Sequence, residues 1–326
     1  GLVLVAGPLR DLDDDFDHSV DRLGFITSLR DHLLGVALDV NAVGPTTASR
    51  SGGAVSREQA DLSLQDNLYT ASLSFARVHD AASRARRRAI GRPTASYGSY
   101  VTLRWQTTDF PTYYLGGIEA SERPWGDADA VARRLWALLV DGWVRVDAGP
   151  LRIEAEVAYL HTRIGDASLS PAVSLAPITG DQLGITAQIE GELLRDKVFV
   201  ELGVVVASGD PAPGLGVAPP VGQGSSQPGD LDGPQFDLAG DDRIDNFRAH
   251  PNLRVDQIFW RRIVGAVSDA TVLRPELTLK PDKALSVSVS GALSVAMQRS
   301  STPGDHPFLG GELDVEAVWR PVPGFE

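Results

Sequence analysis

The sequence contains no cysteine, so it has no disulfide framework, no thiol nucleophile and no thiolate metal site. No stretch approaches the roughly 18 consecutive apolar residues that a membrane-spanning helix requires. Positive charge is also scarce. The formal net charge of −13 argues against sequence-independent binding of nucleic acid. The histidines show no metal-ligand spacing, and no GxSxG, HExxH or P-loop motif occurs. We therefore expect neither an enzyme nor a cofactor.

What the sequence does contain is alternation with a period of two residues. In LRIEAEVAYLHTRIG, residues 151–165, the side chains of Arg152, Glu154 and Glu156 share one parity, and the positions between them are apolar. This pattern is typical of a β-strand with one polar and one apolar face. In a soluble sandwich the apolar face is the core. In a transmembrane barrel the apolar face meets lipid and the charges line a pore.

The same alternation recurs along the chain and predicts an all-β fold. It covers residues 97–107, 183–193, 285–298 and 309–320, with weaker copies near 2–7, 22–30, 33–43, 68–78, 133–147, 198–208 and 267–280. Many copies reach the roughly 9–11 residues with which a tilted strand crosses a bilayer, whereas soluble strands are usually shorter. Short turns alternate with long polar loops, as in outer-membrane barrels. We predict one domain, residues 1–326, folded as an antiparallel up-and-down transmembrane β-barrel.

Several segments depart from this pattern. The chain begins and ends beside strand-like segments, so we expect terminal strands to be missing from a barrel of about 14–18 strands. The loop 208–266 is predicted to be extracellular or to enter the lumen. Residues 79–94 are interpreted as a small helical turn and 258–267 as a short helix. The stretch 130–143 is open between strand and helix, and we favour a strand because a tight turn follows it.

The polar parity predicts which residues line the lumen. Acids outnumber bases on it, so the expected lumen is net acidic and its charges set selectivity. The predicted lumen-lining residues are Arg104, Asp141, Arg145, Arg152, Glu154, Glu156, Gln188, Glu190, Glu192, Glu201, Arg274, Glu276, Glu312, Asp314, Glu316 and Arg320. Small and aliphatic residues fill the other parity, with aromatic residues near strand ends, which suits lipid. The predicted membrane-interface aromatics are Trp105, Trp136, Tyr159, Phe199 and Trp319.

Two acidic tracts, 11–18 and 230–245, space carboxylates as weak Ca²⁺ sites do. The second tract offers Asp230, Asp232, Asp241 and Asp242 but lacks the full twelve-residue calcium-loop pattern. The alternative interpretation is a solvated loop without a ligand.

The second half of the chain resembles a known family. FRAHPNLRVDQIFWRRIVGAVSDATVLRPELTLKP, residues 247–281, precedes a serine-alternating strand and SSTPGDHPFLGGELDVEAVWRPVPGF. Together they resemble an outer-membrane β-barrel family of myxobacteria and related deltaproteobacteria, which is similar to alginate-export-type porins. The resemblance covers most of the chain in pattern and implies a monomeric channel with a polar lumen. An acidic lumen departs from the basic one that an alginate exporter needs.

These observations predict a channel of the bacterial outer membrane that passes small solutes or an exported polymer by passive diffusion. The expected partners are outer-membrane lipid or lipopolysaccharide and a small solute or polysaccharide, without nucleic acid. Two alternatives stay open. One is a soluble β-sandwich binding module of the carbohydrate type, and the other is a non-conducting structural barrel.

Overall fold

The computed structural model describes residues 21–41, 67–109, 130–168, 172–212, 242–282 and 284–320. Within them an 11-stranded sheet has each strand hydrogen-bonded antiparallel to its neighbour in sequence. The prediction of an all-β, antiparallel, up-and-down fold is confirmed. The strand expected near residues 2–7 lies outside the described residues.

The strand boundaries follow the alternating stretches closely. The strands are β1 (Asp21–Leu29), β2 (His32–Asn41), β3 (Leu68–Arg77), β4 (Thr94–Gln106), β5 (Leu135–Ala148), β6 (Leu151–Ile164), β7 (Ile178–Leu194), β8 (Val198–Ala207), β9 (Ala270–Leu279), β10 (Leu285–Ala296) and β11 (Phe308–Trp319). Short 3₁₀ turns lie at Arg299–Ser301 and Pro303–Asp305, between β10 and β11. In the described part of the chain β1 and β11 are the two edges, and the sheet is not closed between them.

Tight turns join the strands at one end of the sheet, which we call the short-turn end. Arg30 and Asp31 connect β1 to β2, and both have positive φ, as a type I′ hairpin turn requires. Gly149, with φ of 59°, begins the turn between β5 and β6. Asp196 takes a positive φ between β7 and β8. The opposite end, where the longer connections lie, is the long-loop end.

A helix replaces one of these tight turns. The connection between β3 and β4 contains α1 (Ala81–Ala89), as the sequence predicts. The carboxylate of Asp80 accepts a hydrogen bond from the Ser83 N–H and so caps the helix N-terminus. Arginines fill its last turn, where they interact favourably with the helix dipole. No helix in the described ranges is long and apolar enough to cross a membrane.

The ambiguous stretch 130–143 is a strand from Leu135 onward, because it pairs along its whole length with β4 and β6. The predicted short helix near 258–267 is a π-helical turn, Phe259–Val264. It ends at Gly265, whose φ of 93° is a left-handed conformation that glycine adopts without strain.

A buried ion pair fixes the long-loop end of β4–β6. The Arg133 guanidinium lies 2.5 Å from the Asp109 carboxylate, and both side chains are buried. Arg133 also donates hydrogen bonds to the carbonyl oxygens of Asp166 and Ser168. Removing one partner of such a pair would leave an uncompensated buried charge, which costs several kcal/mol, about 3–5.

Asp166 organises the next loop. Burial by itself raises the pKa of its carboxyl. This effect is outweighed by hydrogen bonds from the Ser168 and Leu175 N–H groups and the Ser174 hydroxyl, together with the charge of Arg133, all of which lower the pKa. The net pKa therefore lies below the ordinary value of 3.8. A lowered pKa means that the folded loop stabilises the ionised carboxylate more than the unfolded loop does.

We predict that this loop loses stability in acid. As pH falls through the ordinary pKa range of an aspartate, the unfolded loop takes up a proton before the folded loop does, so stability decreases. Asp166→Asn removes this dependence. The measurement is proteolysis of the 165–177 loop in detergent at pH values from neutral to about 3. Equal pH dependence in the two proteins would contradict the prediction.

Candidate functional site

The exposed face of the sheet is apolar and the covered face is polar, which is the reverse of the arrangement in a water-soluble protein. We call the face that carries Asp39, Asp141 and Glu154 the inner face, and the opposite one the outer face. These three side chains are at most 8% exposed. On the outer face, Leu38 is 56% and Leu313 75% exposed. An apolar exposed face with a polar covered face is the organisation of strands in a membrane barrel.

Aromatic side chains form two bands on the outer face. Near the long-loop end, Tyr69 stacks on Trp105, with ring centroids 5.8 Å apart. Near the short-turn end, His32, Phe75 and Tyr97 cluster, and His32 Nε2 lies 2.9 Å from the Tyr97 hydroxyl. From Tyr97 to Trp105 the strand β4 rises about 26 Å at roughly 3.3 Å per residue. A strand tilt of roughly 35–45° leaves a height of about 20 Å, close to the apolar band of outer-membrane barrels.

Ion pairs connect neighbouring strands across the inner face. Arg145 on β5 lies directly opposite Glu154 on β6, and their charged atoms are 2.9 Å apart. Arg152 on β6 lies opposite Glu190 on β7 at the same distance. Because directly opposite residues point to the same side of a sheet, these contacts require the inner faces of the strands to align.

The chain of charges continues over the next strands. Arg274 on β9 contacts Glu201 on β8 at 3.1 Å and Glu276 at 2.6 Å. Near the β1 edge of the sheet, also on the inner face, Arg22 pairs with Asp39 at 2.6 Å. The inner face therefore presents a paired network of arginines and carboxylates.

Helix α1 leans over the short-turn end of this network. The guanidinium of Arg88 lies 2.6 Å from the carboxylate of Glu192 on β7. Beside it, a cavity of about 180 Å³ is lined by Glu190, Phe199, Glu201, Glu276, Thr278 and Lys280. The Lys280 ammonium sits 4.4 Å from the centroid of the Phe199 ring, a cation–π contact.

The placement of Phe199 corrects the sequence interpretation. We expected it among the membrane-interface aromatics, but it lies on the inner face, opposite Glu192 and Thr278. The reason is its spacing from Glu201, because residues two apart on a strand share a face. The other predicted interface aromatics lie on the outer face, namely Trp105, Trp136, Tyr159 and Trp319.

On β6 and β8–β10 the long-loop end of the inner face carries a covered apolar cluster. Residues 242–269, which we call the inner segment, fold back onto it. Phe247, Val264 and Val267 pack in one cluster with inner-face residues. Those inner-face residues are Ala158, Val205, Ala207, Ala270, Val272 and Ala292. The largest buried hydrophobic core in the described residues therefore lies between the inner segment and the sheet.

Two contacts fix the inner segment in place. Trp260 is 2% exposed, and its indole N–H donates a hydrogen bond of 2.9 Å to the Ser294 hydroxyl on β10. Phe247 lies against Gly184 on β7, where an added Cβ would come within 2.3 Å of the ring. Glycine is needed at this position because only the absence of a side chain admits the ring.

The predicted lumen-lining residues fall on strands whose inner face carries the network. Arg104 is on β4, Asp141 and Arg145 on β5, Arg152, Glu154 and Glu156 on β6, Gln188, Glu190 and Glu192 on β7, Glu201 on β8, Arg274 and Glu276 on β9, and Glu312, Asp314 and Glu316 on β11. Arg320 follows β11 directly. Asp230, Asp232 and Asp241 lie outside the described residues, and Asp242 is held through its carbonyl oxygen by the Thr179 N–H. Among the described residues no three carboxylates or histidines are grouped for a metal.

Sequence reasoning missed several inner-face residues. Arg22, Tyr100 and Trp143 were not assigned to the site. Tyr100 shares the parity of Arg104, whereas no residue of β1 was predicted. Trp143 is two residues from Asp141, so alternation alone would have found it. The contacts of Trp260 carry no periodic signal, because they join segments that are far apart in sequence.

Comparison with solved structures shows a distant likeness. No protein-family model matches the chain, and no curated protein matches it. Among solved structures, the chain is similar to the toluene transporter TodX of P. putida. The identity is 11% and the TM-score 0.27, covering 91% of this chain and 71% of TodX. A likeness this distant carries no inference, and the resemblance to the myxobacterial family and to alginate-export porins stays a prediction.

We predict that Trp260→Ala releases the inner segment from the sheet. The substitution removes a buried indole and its hydrogen bond, and a tryptophan-to-alanine cavity typically costs about 3–5 kcal/mol. Trypsin cleavage after Arg261 and Arg262, in folded protein in detergent, should become much faster. Trp136→Ala on the outer face removes the same side chain elsewhere and should leave cleavage unchanged. Equal cleavage rates in the two variants would show that Trp260 does not hold the segment.

Proposed function

We propose that the protein is a transmembrane β-barrel of the bacterial outer membrane that conducts small polar solutes passively through a net acidic interior. The inverted polarity of the sheet carries this proposal. An apolar outer face between two aromatic bands suits lipid, while a charged inner face suits water. We further propose that it acts as a monomer surrounded by lipid or lipopolysaccharide, without catalytic chemistry, cofactor or nucleic acid.

The inner segment bears on the kind of solute. It covers the long-loop half of the inner face of β6–β10 and is anchored there through Trp260. A passage narrowed in this way favours small solutes over an exported polymer. The charged network leaves the short-turn half polar, and carboxylates outnumber basic groups on it. Such a lining favours cations and neutral solutes over anions.

The orientation of the faces makes a direct prediction about insertion. Val157 lies at the middle of β6 on the outer face and is 45% exposed. Val157→Arg should destabilise the lipid-inserted protein by about 2–4 kcal/mol, because the charge would sit near the bilayer midplane. The measurement is equilibrium unfolding in liposomes.

Ser290→Arg is the matched control. Ser290 lies at the middle of β10 on the inner face, opposite Asp314, so a new arginine there meets water and a carboxylate. This variant should insert almost as well as the wild type. If both variants are equally stable, or if the protein stays soluble without detergent, the membrane proposal is wrong.

Channel activity is tested by adding the refolded full chain to a planar bilayer. We expect discrete conductance steps with a preference for cations. Arg152→Gln should increase that preference, because it removes a positive charge from the inner face and leaves Glu190 without its 2.9 Å partner. Arg86→Gln removes an equal charge from the exposed surface of α1 and should change nothing. Anion selectivity in the wild type would overturn the acidic lining, and insertion without conductance would indicate a structural barrel.

A further inference from the structure

An aromatic ring and a row of carboxylates face one cavity near the short-turn end of the inner face. Glu190 on β7 lies directly opposite Glu201 on β8, and Glu201 lies directly opposite Glu276 on β9. The three glutamates therefore form one row across three neighbouring strands. Phe199 is two residues from Glu201 on β8, so its ring stands on the same face, toward the short-turn end. All four residues line the cavity of about 180 Å³.

This glutamate row carries more negative charge than its arginine partners balance. Like charges directly opposite each other on a sheet are destabilising. Arg274 contacts Glu201 at 3.1 Å and Glu276 at 2.6 Å. Arg152 contacts Glu190 at 2.9 Å. Two arginines therefore contact three carboxylates, which leaves one negative charge for a further cation at the cavity.

A lysine side chain supplies a cation at this place. The ammonium of Lys280, the residue after β9, lies 4.4 Å from the centroid of the Phe199 ring. This is a cation–π interaction, in which the face of the ring attracts a positive charge. Among the described residues, no carboxylate forms an ion pair with the Lys280 ammonium, although three glutamates line the same cavity. The ring is therefore what holds the ammonium.

The contact between Lys280 and the ring is weak enough to exchange. Lys280 is an exposed residue, and only its backbone N–H is fixed, by a hydrogen bond to the Lys197 carbonyl oxygen. An exposed cation–π contact changes an equilibrium constant by only about twofold to fivefold. The long lysine side chain can therefore leave the ring when another cation competes for it.

We propose that this cavity binds one small organic ammonium ion, which takes the place of the Lys280 ammonium over Phe199. The methyl or methylene groups of such an ion pack on the ring, and the glutamate row balances its charge. The cavity of about 180 Å³ has room for it, since one of roughly 150 Å³ holds benzene. The site deepens the proposed passage of cations and rests on that function for its role in transport, whereas binding itself is measured without conduction.

Choline and 3,3-dimethyl-1-butanol are matched probes for this site. The two molecules have the same shape, and only choline carries the positive charge. Each is titrated by calorimetry into the full chain in detergent. We expect saturable binding of choline, and binding of the neutral alcohol that is weaker by about tenfold or more, because the ring and the glutamate row both act on the charge.

Substitutions at the lysine and the ring assign the binding. Lys280→Gln removes the competing ammonium, so choline should bind about threefold tighter or more. Lys197→Gln, in the turn before β8, is the control, because it removes the same charge from an exposed lysine and leaves the contact of Lys280 with the ring intact. It should change the affinity much less.

The ring itself is tested in both directions. Phe199→Leu should weaken choline binding by about threefold or more, and Phe199→Trp should strengthen it, because tryptophan is the best cation–π ring. The tryptophan variant keeps the test available if the leucine variant does not fold. Heat-shifted migration in SDS confirms that each variant is folded before titration.

Several results would overturn the site. They are equal binding of choline and the neutral alcohol, equal tightening by Lys280→Gln and Lys197→Gln, and conductance in a planar bilayer by a protein that does not bind choline. Choline binding with the expected variant pattern supports the site even if the protein inserts without conducting. In that case only the proposed channel function fails.

Discussion

The pairing register of the strands is the constraint on which the rest of this structure depends. Side chains alternate between faces with a period of two, so a shift of one residue would move every charge of a strand to the apolar side. A shift on β5, β6 or β7 would separate the ion pairs between directly opposite residues, which are Arg145 with Glu154 and Arg152 with Glu190. On the other face, leucine and valine side chains would lose their apolar environment. Both faces therefore specify the same register.

The inner face has an apolar half at the long-loop end and a charged half at the short-turn end. The change from apolar to charged residues occurs within single strands. On β6, Ala158 lies under the inner segment, whereas Glu156 begins the charged part. On β9, Val272 packs in the core, and Arg274 two positions on belongs to the ion-pair network. A short apolar run at the same end of adjacent strands gives the inner segment a surface to bury. Among the described residues no apolar segment packs over the polar half.

Much of this arrangement was predictable, because alternation reports a face directly. The eleven strands, helix α1 and the face of the charged residues follow from periodicity and turn residues. Phe199 was assigned to the membrane interface because it is aromatic, although its two-residue spacing from Glu201 indicates the inner face. The extension of β7 back to Ile178 and the docking of Trp260 on Ser294 were not predictable. Both depend on contacts between segments far apart in sequence, which no local pattern encodes.

The net charge at each part of the inner face depends on which carboxylates contact an arginine, more than on the total numbers of acidic and basic residues. Arginines on β6 and β9 lie in contact with carboxylates, so much of their field is cancelled locally. The carboxylates on β11 differ, because Asp314 lies opposite Ser290 and Glu316 opposite Ser288. Negative charge without an arginine directly opposite it on β10 therefore remains on β11.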